Sequence, residues 1–426
     1  MSTTRLETSS AITAARGLFA ALGLLMLGNG LLGTLLGIRS EIEGFATAAT
    51  GVIMASYYAG FLLASRMIPR TLERVGHVRV FAALASMASA SPLVHSVFVT
   101  PAVWSAMRFV FGFCMAGLYV VSESWLNQNA TNETRGRLLS VYMVVMMGGL
   151  GVSQLFLGVA PPEGFRLFVL ASLFVSLAVV PITLSQGKAP PFHAIEPLKA
   201  SALWKLAPLG IVGGFGVGIT NGALIGIGPV YATRVGFGTG EVALIMGAAL
   251  AGSVLLQWPI GHMSDRTHRR QALLLVTGLA AGVAALGSFT DAPGITHLMV
   301  VMFLFGGLTF PMYSIALSHI SDVVGPNSAV SASALYAFVG GIGAIVGPIA
   351  AALSLDSVGP TGFFIVMAAT HALVGIFALY QIVIVDPPVT PEQQKPWIPI
   401  PARASAVVTR LAKVRRTGNG RSKPKD

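Results

Sequence analysis

Twelve apolar runs recur along the chain, at roughly 17–37, 47–66, 79–98, 102–126, 138–159, 167–185, 206–230, 240–262, 271–290, 296–319, 330–354 and 361–385. Most are about 20 residues long, the length of helix that crosses roughly 30 Å of hydrocarbon. The pattern predicts an all-α membrane protein of twelve transmembrane helices. Most connections are short. The stretch 186–205, with Pro190, Pro191 and Pro197, is longer and separates two sets of six. The expected organisation is an N-terminal segment 1–16, a six-helix bundle 17–185, a central loop 186–205, a second six-helix bundle 206–385 and a Pro-rich, basic tail 386–426. The first run has polar residues before it and no clear small-residue cleavage site after it, so it reads as a retained helix.

Composition excludes a soluble protein. Of 426 residues, 54% are hydrophobic and only 10% are Asp, Glu, Lys or Arg. A soluble domain carries about 25% charged residues, because water must solvate its surface. Most of this surface must therefore face lipid. The 49 glycines are scattered through the apolar runs, where they allow helix backbones to approach closely. Cys114 is the only cysteine, so no disulfide forms within the chain.

The charges set an orientation. With the N-terminus inside and the tail set aside, 14 Lys and Arg fall on inside segments against three outside, Arg39, Arg166 and Arg234. The positive-inside bias predicts both termini in the cytoplasm. The net charge of +11 is then a topology signal, and no nucleic-acid partner is expected.

The chain also repeats itself. Asn29-Gly30 and Asn221-Gly222, Glu73-Arg74 and Asp265-Arg266, and Gly148-Gly149 and Gly340-Gly341 each stand 192 residues apart in corresponding runs. Two copies of one six-helix unit enter the membrane the same way round. Such parallel repeats place a binding site near the midplane between them.

The sharpest local motif joins runs eight and nine: Gly261-His-Met-Ser-Asp265-Arg266-Thr-His-Arg269-Arg270. It resembles the signature loop of the major facilitator superfamily (MFS), with His268 where a Gly is usual. The first-half counterpart, Pro69-Arg70-Thr-Leu-Glu73-Arg74-Val-Gly76-His77-Val-Arg79, is degraded. Arg108-Phe-Val-Phe-Gly112 is similar to the fourth-helix pattern of the same superfamily. Glu123-Ser124-Trp125-Leu126-Asn127, Arg135-Gly136-Arg137 and Arg74-Val75-Gly76-His77-Val78-Arg79 resemble its YcaD-like branch of bacterial inner-membrane proteins. The resemblance covers roughly 15–385 and implies two pseudo-symmetric bundles and alternating access. It also implies that Glu73, Arg74, Gly76, Gly261, Asp265, Arg266, Arg269 and Arg270 form gating loops at the inner side. The plainer reading is that these charges only fix topology.

Two charges fall inside predicted spans. An intramembrane Arg costs at least about 2.5 kcal/mol and needs a partner or a wet cavity. Arg108 either faces the central cavity or snorkels to the interface. Glu123, the sole carboxylate within a predicted span, either binds a proton or pairs at the interface with Arg137 or an Arg of the 66–79 loop. Proton coupling, if present, falls to these two. Run five lacks the Gly-Pro pair of many antiporters and has Gly149-Leu-Gly151-Val-Ser153-Gln154 instead.

Candidate cavity residues are the polar and aromatic groups within spans: Asn29, Tyr57, Tyr119, Tyr142, Gln154, Asn221, Gln257, Tyr313 and Tyr336. Asn29 and Asn221 lead, because the repeat places them at equivalent depths. Each either lines a cavity or makes an interhelical hydrogen bond, and each Tyr can equally be packing. His95, His297, His319 and His371 have no metal-ligand spacing, and no nucleophile–base–acid set appears. No cofactor, metal or enzymatic activity is expected. The tail stretch 402–416 reads as a basic amphipathic helix suited to an anionic leaflet, or as a disordered basic tail.

The reading is a monomeric secondary transporter of the cytoplasmic (inner) membrane. It moves a small solute, with proton-coupled efflux of a small organic or amphipathic compound as the leading form. The alternatives are a non-transporting membrane sensor and an uptake symporter for a metabolite.

Overall fold

A computed structural model describes residues 2–128, 130–131, 134–184, 200–288, 294–324, 328–385, 389–390, 393–395, 397 and 400; of residues 2–14, 128, 135 and 136 only the backbone is described. The stretch 402–416 and most of the central loop lie outside the described residues. Twelve helices among the described residues are long and apolar enough to span a bilayer. They are α1 (Ser2–Ile42), α2 (Thr47–Val75), α3 (His77–Val97), α4 (Pro101–Gln128), α5 (Arg135–Ser153), α6 (Arg166–Leu177), α7 (Pro208–Arg234), α8 (Thr239–Arg266), α9 (Arg269–Ser288), α10 (Ile295–Val323), α11 (Ala329–Val358) and α12 (Thr361–Ile384). The sixth span, Arg166–Thr183, is α6 continued by the short helix Val179–Thr183, and another short helix, Ala200–Leu206, precedes α7.

Helices run past the apolar runs that announce them. Run two ends near residue 66, but α2 continues to Val75; run ten ends near 319, but α10 continues to Val323. Hydropathy marks only the lipid-facing core, whereas backbone hydrogen bonding continues into the wet interface. Asp322 is therefore a buried helical carboxylate in α10, and Glu123 is not alone in that respect. Run five also changes form. Beyond Ser153 it winds as a 3-10 turn, Gln154–Val159. There Ser153 Oγ and Gln154 Nε2 both donate to the Leu150 carbonyl, at 2.6 and 3.3 Å, in competition with the α-helical backbone ladder.

The 192-residue offset has a physical basis. Gly44 and Gly236 stand 192 apart, and each has positive φ (67° and 98°) in the turn after α1 and α7. Gly60 and Gly252 share the same offset. A Cβ on Gly60 would sit 2.0 Å from the Phe109 carbonyl oxygen, and one on Gly252 would sit 1.9 Å from that of Phe303. The α2–α4 and α8–α10 crossings therefore bring backbone against helix at equivalent places.

Four helices form the centre. In α1, α4, α7 and α10, 72–83% of the most apolar window is buried, against 39–50% in the other eight. The outer helices turn large apolar side chains outward, among them Leu155, Trp258 and Leu373, which suits hydrocarbon rather than water. His95 is held inside α3, with Trp104 Nε1 donating 3.1 Å to its carbonyl oxygen. His371 shares a 3.0 Å hydrogen bond with Thr309. Both histidines pack the bundle and lie outside the cavity described below.

At one end of the molecule the first six helices meet the last six closely. Gly37 of α1 faces Pro229 of α7, and Gly51 of α2 faces Ala352 of α11. Arg234, at the last turn of α7, donates to Glu41 of α1 (3.0 Å), Asp356 of α11 (3.3 Å) and Thr47 of α2 (2.6 Å). Thr47 in turn bonds Asp356. One guanidinium thus ties four helix ends together. We call this the ion-pair end; the opposite end carries segments 66–79 and 263–270.

Candidate functional site

A cavity lies between the two sets of six helices, in two adjoining chambers. The larger gives water-sized centres about 80 Å³, and the smaller about 30 Å³. Tyr57, Tyr58, Leu150, Ile225 and Leu250 line both. The larger chamber is mostly apolar, with Phe61, Met143, Met147 and Phe310 on its walls and Asn221, Gln257 and Tyr313 as polar groups. The smaller is polar, lined by Asn29, Thr34, Arg108 and Gln154.

Asn221 is the sharpest feature. It is 8% exposed, and among the described residues neither its amide nitrogen nor its amide oxygen has a hydrogen-bond partner. A buried unpaired amide is costly, and this one faces the chamber. Its repeat equivalent Asn29 differs: its Nδ2 donates, at a long 3.4 Å, to the Tyr119 hydroxyl. Of the two alternatives for these residues, the lone interhelical hydrogen bond describes Asn29 in part and Asn221 not at all.

Arg108 is 5% exposed and does not snorkel. Its guanidinium lies 4.7 Å over the Tyr57 ring, a cation–π contact that offsets part of its desolvation. Gln154 accepts a 3.0 Å hydrogen bond from Thr34 beside it.

Three candidate residues stand behind the cavity wall. Tyr119 is fully buried and donates to the Met26 sulfur at 3.6 Å. Tyr336 packs against Tyr313 with ring centroids 4.8 Å apart and donates to its carbonyl at 2.9 Å, so it holds Tyr313 in the wall. Tyr142 donates to Glu123 Oε1 at 2.6 Å. Glu123 is itself fully buried. It lies inside the first bundle and lines neither chamber.

The loop residues divide by half. Glu73 and Arg74 are exposed, and Gly76 (φ 90°) is the single residue between α2 and α3. Just past it, His77 shares a 3.0 Å hydrogen bond with Ser124 of α4. In the second half Arg266 is exposed, while Arg269 and Arg270 are buried. Arg269 donates to Ser264 (2.8 Å), Asp265 (2.9 Å) and Asp322 (3.3 Å). Arg270 donates to the Gln381 and Val385 carbonyls at 2.8 and 2.7 Å, closing the last turn of α12. Asp265 accepts a backbone hydrogen bond from the tail, from the Trp397 N–H at 2.7 Å. Gly261 is tight because Trp397 lies on it: a Cβ there would meet the indole at 2.4 Å.

Sequence reasoning missed the Arg234 cluster, Thr34, and the tail residues Trp397 and Ile400. Glu41, Arg234 and Asp356 each look like an ordinary charge at a span boundary. Nothing local shows that they converge.

The family model described as Major Facilitator Superfamily matches residues 18–348 and 210–418. The chain is similar to the MFS-type transporter YcaD of Escherichia fergusonii, at 26% identity over 356 residues, covering 83% of this chain and 91% of that protein. It is equally similar, at 26% identity, to an MFS-type transporter of Enterobacter sp. (strain 638), with the same coverage. Among solved structures it resembles a variant of the nucleoside transporter NupG (TM-score 0.75, 14% identity, 86% of this chain and 99% of that one). It also resembles a bacterial homologue of the human lysosomal transporter Spinster in an inward-facing, occupied conformation (TM-score 0.72, 14% identity, 90% and 98%). The twelve spans, the internal repeat, the cavity between its halves and these matches agree: the chain belongs to the Major Facilitator Superfamily of membrane transporters.

Proposed function

We propose that this transporter carries a small, largely apolar solute bearing one polar group across the cytoplasmic membrane by alternating access, with the halves 17–185 and 206–385 rocking about the cavity. The observation that supports it best is Asn221: an amide with both atoms unpaired, set in an otherwise apolar chamber. A solute that supplies one donor or acceptor there relieves a buried polar cost while the chamber takes its apolar body. The relatives named for nucleoside and lysosomal transport share only the fold at 14% identity, so the chamber lining is the better guide to the solute.

The Lys and Arg distribution supports a cytoplasmic position for the tail end. Proton-coupled efflux is the preferred form. Arg108 supplies a fixed positive charge beside the smaller chamber, and Glu123 supplies a buried carboxylate hydrogen-bonded to Tyr142. Protonation of Glu123 is then the coupling event. This fails if the Glu123→Gln protein, reconstituted in vesicles, keeps full pH-gradient-driven transport.

The binding reading is tested by a thermal-shift screen of the detergent-purified protein against metabolites and amphipathic compounds. A ligand that stabilises the protein, with the shift lost in Asn221→Ala, supports the site. A ligand that stabilises both equally moves the site elsewhere.

A further inference from the structure

The larger chamber is lined in part by the protein's own tail. Ile400 is 6% exposed and lines the chamber with Tyr57, Phe61 and Asn221. Its peptide unit is bracketed by one side chain: Ser314 Oγ of α10 donates to the Ile400 carbonyl and accepts from the Ile400 N–H, both at 3.0 Å. Three residues back, Trp397 lies on Gly261 and its N–H is taken by Asp265. Lys395 is held at three points. Its N–H donates to Asp322 at 2.8 Å, its carbonyl accepts from Arg269 at 2.6 Å, and its ammonium bonds the Ser321 carbonyl. These hydrogen-bond partners all belong to α8, α9 and α10.

We propose that the tail, through Lys395, Trp397 and Ile400, is a self-inhibitory strap, held on the second half and reaching the chamber between the halves, which must leave before solute enters or this end closes.

The geometry argues it in two ways. First, Ile400 fills apolar space that the solute would fill, so strap and solute compete for one chamber. Second, Asp265 and Arg269 belong to the gating motif, and the strap's backbone engages both. While it is seated, Asp265 has a tail amide as its backbone donor. The hold is built for release. Among the described residues the Trp397 Nε1–H is buried without a partner, so the seated tail leaves a polar cost that its departure relieves. Segments held by a few hydrogen bonds sit at the low-stability end of a structure.

The proposal rests on the cavity being the solute path, but its test needs no solute. Gln257 lines the same chamber as Ile400, and the native Cys114 is buried. A Gln257→Cys reporter in the detergent-purified full chain is treated with a bulky, water-soluble maleimide. A second reporter, Ser357→Cys, is exposed at the ion-pair end. Each is compared in the parent tail, in the full-length double variant Trp397→Ala, Ile400→Asp, and in a chain ending at residue 389. The Asp variant keeps the length of the tail but places a carboxylate in a mostly apolar chamber. Labelling at residue 257 is expected to rise at least about tenfold in both tail variants, with residue 357 unchanged. Equal labelling at residue 257 with and without the strap residues overturns the proposal. So does a rise at both reporters, which would mean that the tail only stabilises the bundle. Because no transport is measured, a wrong solute or a wrong coupling ion leaves either result intact.

Discussion

At the scale of single residues, the cavity is defined by what its polar groups lack. An unpaired buried amide costs on the order of 1–3 kcal/mol, whereas an apolar group of the same shape costs nothing of that kind. Asn221 has both amide atoms unpaired, so Asn221→Leu is expected to hold or raise the melting temperature of the purified protein while abolishing ligand-induced stabilisation. A fall of several degrees would mean that the amide has a structural duty. Tyr142→Phe is the opposite case. It removes the hydroxyl that donates to buried Glu123, so unfolding should become easier by about 1–3 kcal/mol, read as a lower melting temperature with no ligand present. Asn29 and Asn221 occupy equivalent positions in sequence, yet only their neighbours decide that one reaches Tyr119 and the other reaches nothing.

Helices in this bundle are shaped by close approach. Without a hydrophobic drive between helices in lipid, association depends on packing, which glycine permits. Gly60 and Gly252 each set a backbone crossing with less than 2.1 Å to spare for a Cβ. Gly60→Ala and Gly252→Ala should each destabilise by about 1–3 kcal/mol through overpacking, measured as a drop in thermal stability that their double variant deepens. Gly148 and Gly278 have open space at the same test and should tolerate alanine. Arg270 acts on a neighbouring element. By donating to the carbonyls of Gln381 in α12 and Val385 just past its end it caps a helix 111 residues away, as its bond to Gln381 records. Arg270→Ala is expected to fray the last turn of α12, seen as faster amide exchange from about residue 381 onward.

For the whole molecule the question is which end opens. The Arg234 cluster joins four helix ends, but its partners are partly exposed, at 15% for Glu41 and 43% for Asp356. Such pairs are worth roughly 0.2–1 kcal/mol each. They contribute little to folding, yet a change of about 1 kcal/mol alters a two-state population about fivefold. Arg234→Ala should therefore leave the melting temperature nearly unchanged and add a longer-distance population between spin labels at residues 42 and 357. No new population would mean that the packing of Gly37 on Pro229 and Gly51 on Ala352 holds this end alone.

The number of spans, their repeat at 192 residues and the charge bias are legible in the sequence, because a bilayer imposes one length scale and one charge asymmetry on every crossing. Arg108 and Glu123 stand out for the same reason: ionisable groups are rare where hydrocarbon must be faced. Their neighbours are not legible, since Tyr57 lies 51 residues from Arg108 and the contact depends on how α2 crosses α4. Helix ends escaped hydropathy because α2 and α10 continue through the interface, and that placed Asp322 in the core beside Arg269. The tail escaped entirely. Trp397 and Ile400 are isolated apolar residues in a Pro-rich stretch with no period to read, and their places are set by Asp265, Gly261 and Ser314, 86 to 136 residues earlier. Local pattern determined that this chain crosses a membrane twelve times as two copies; only long-range packing decided which polar groups meet, which are left unpaired, and what fills the space between the halves.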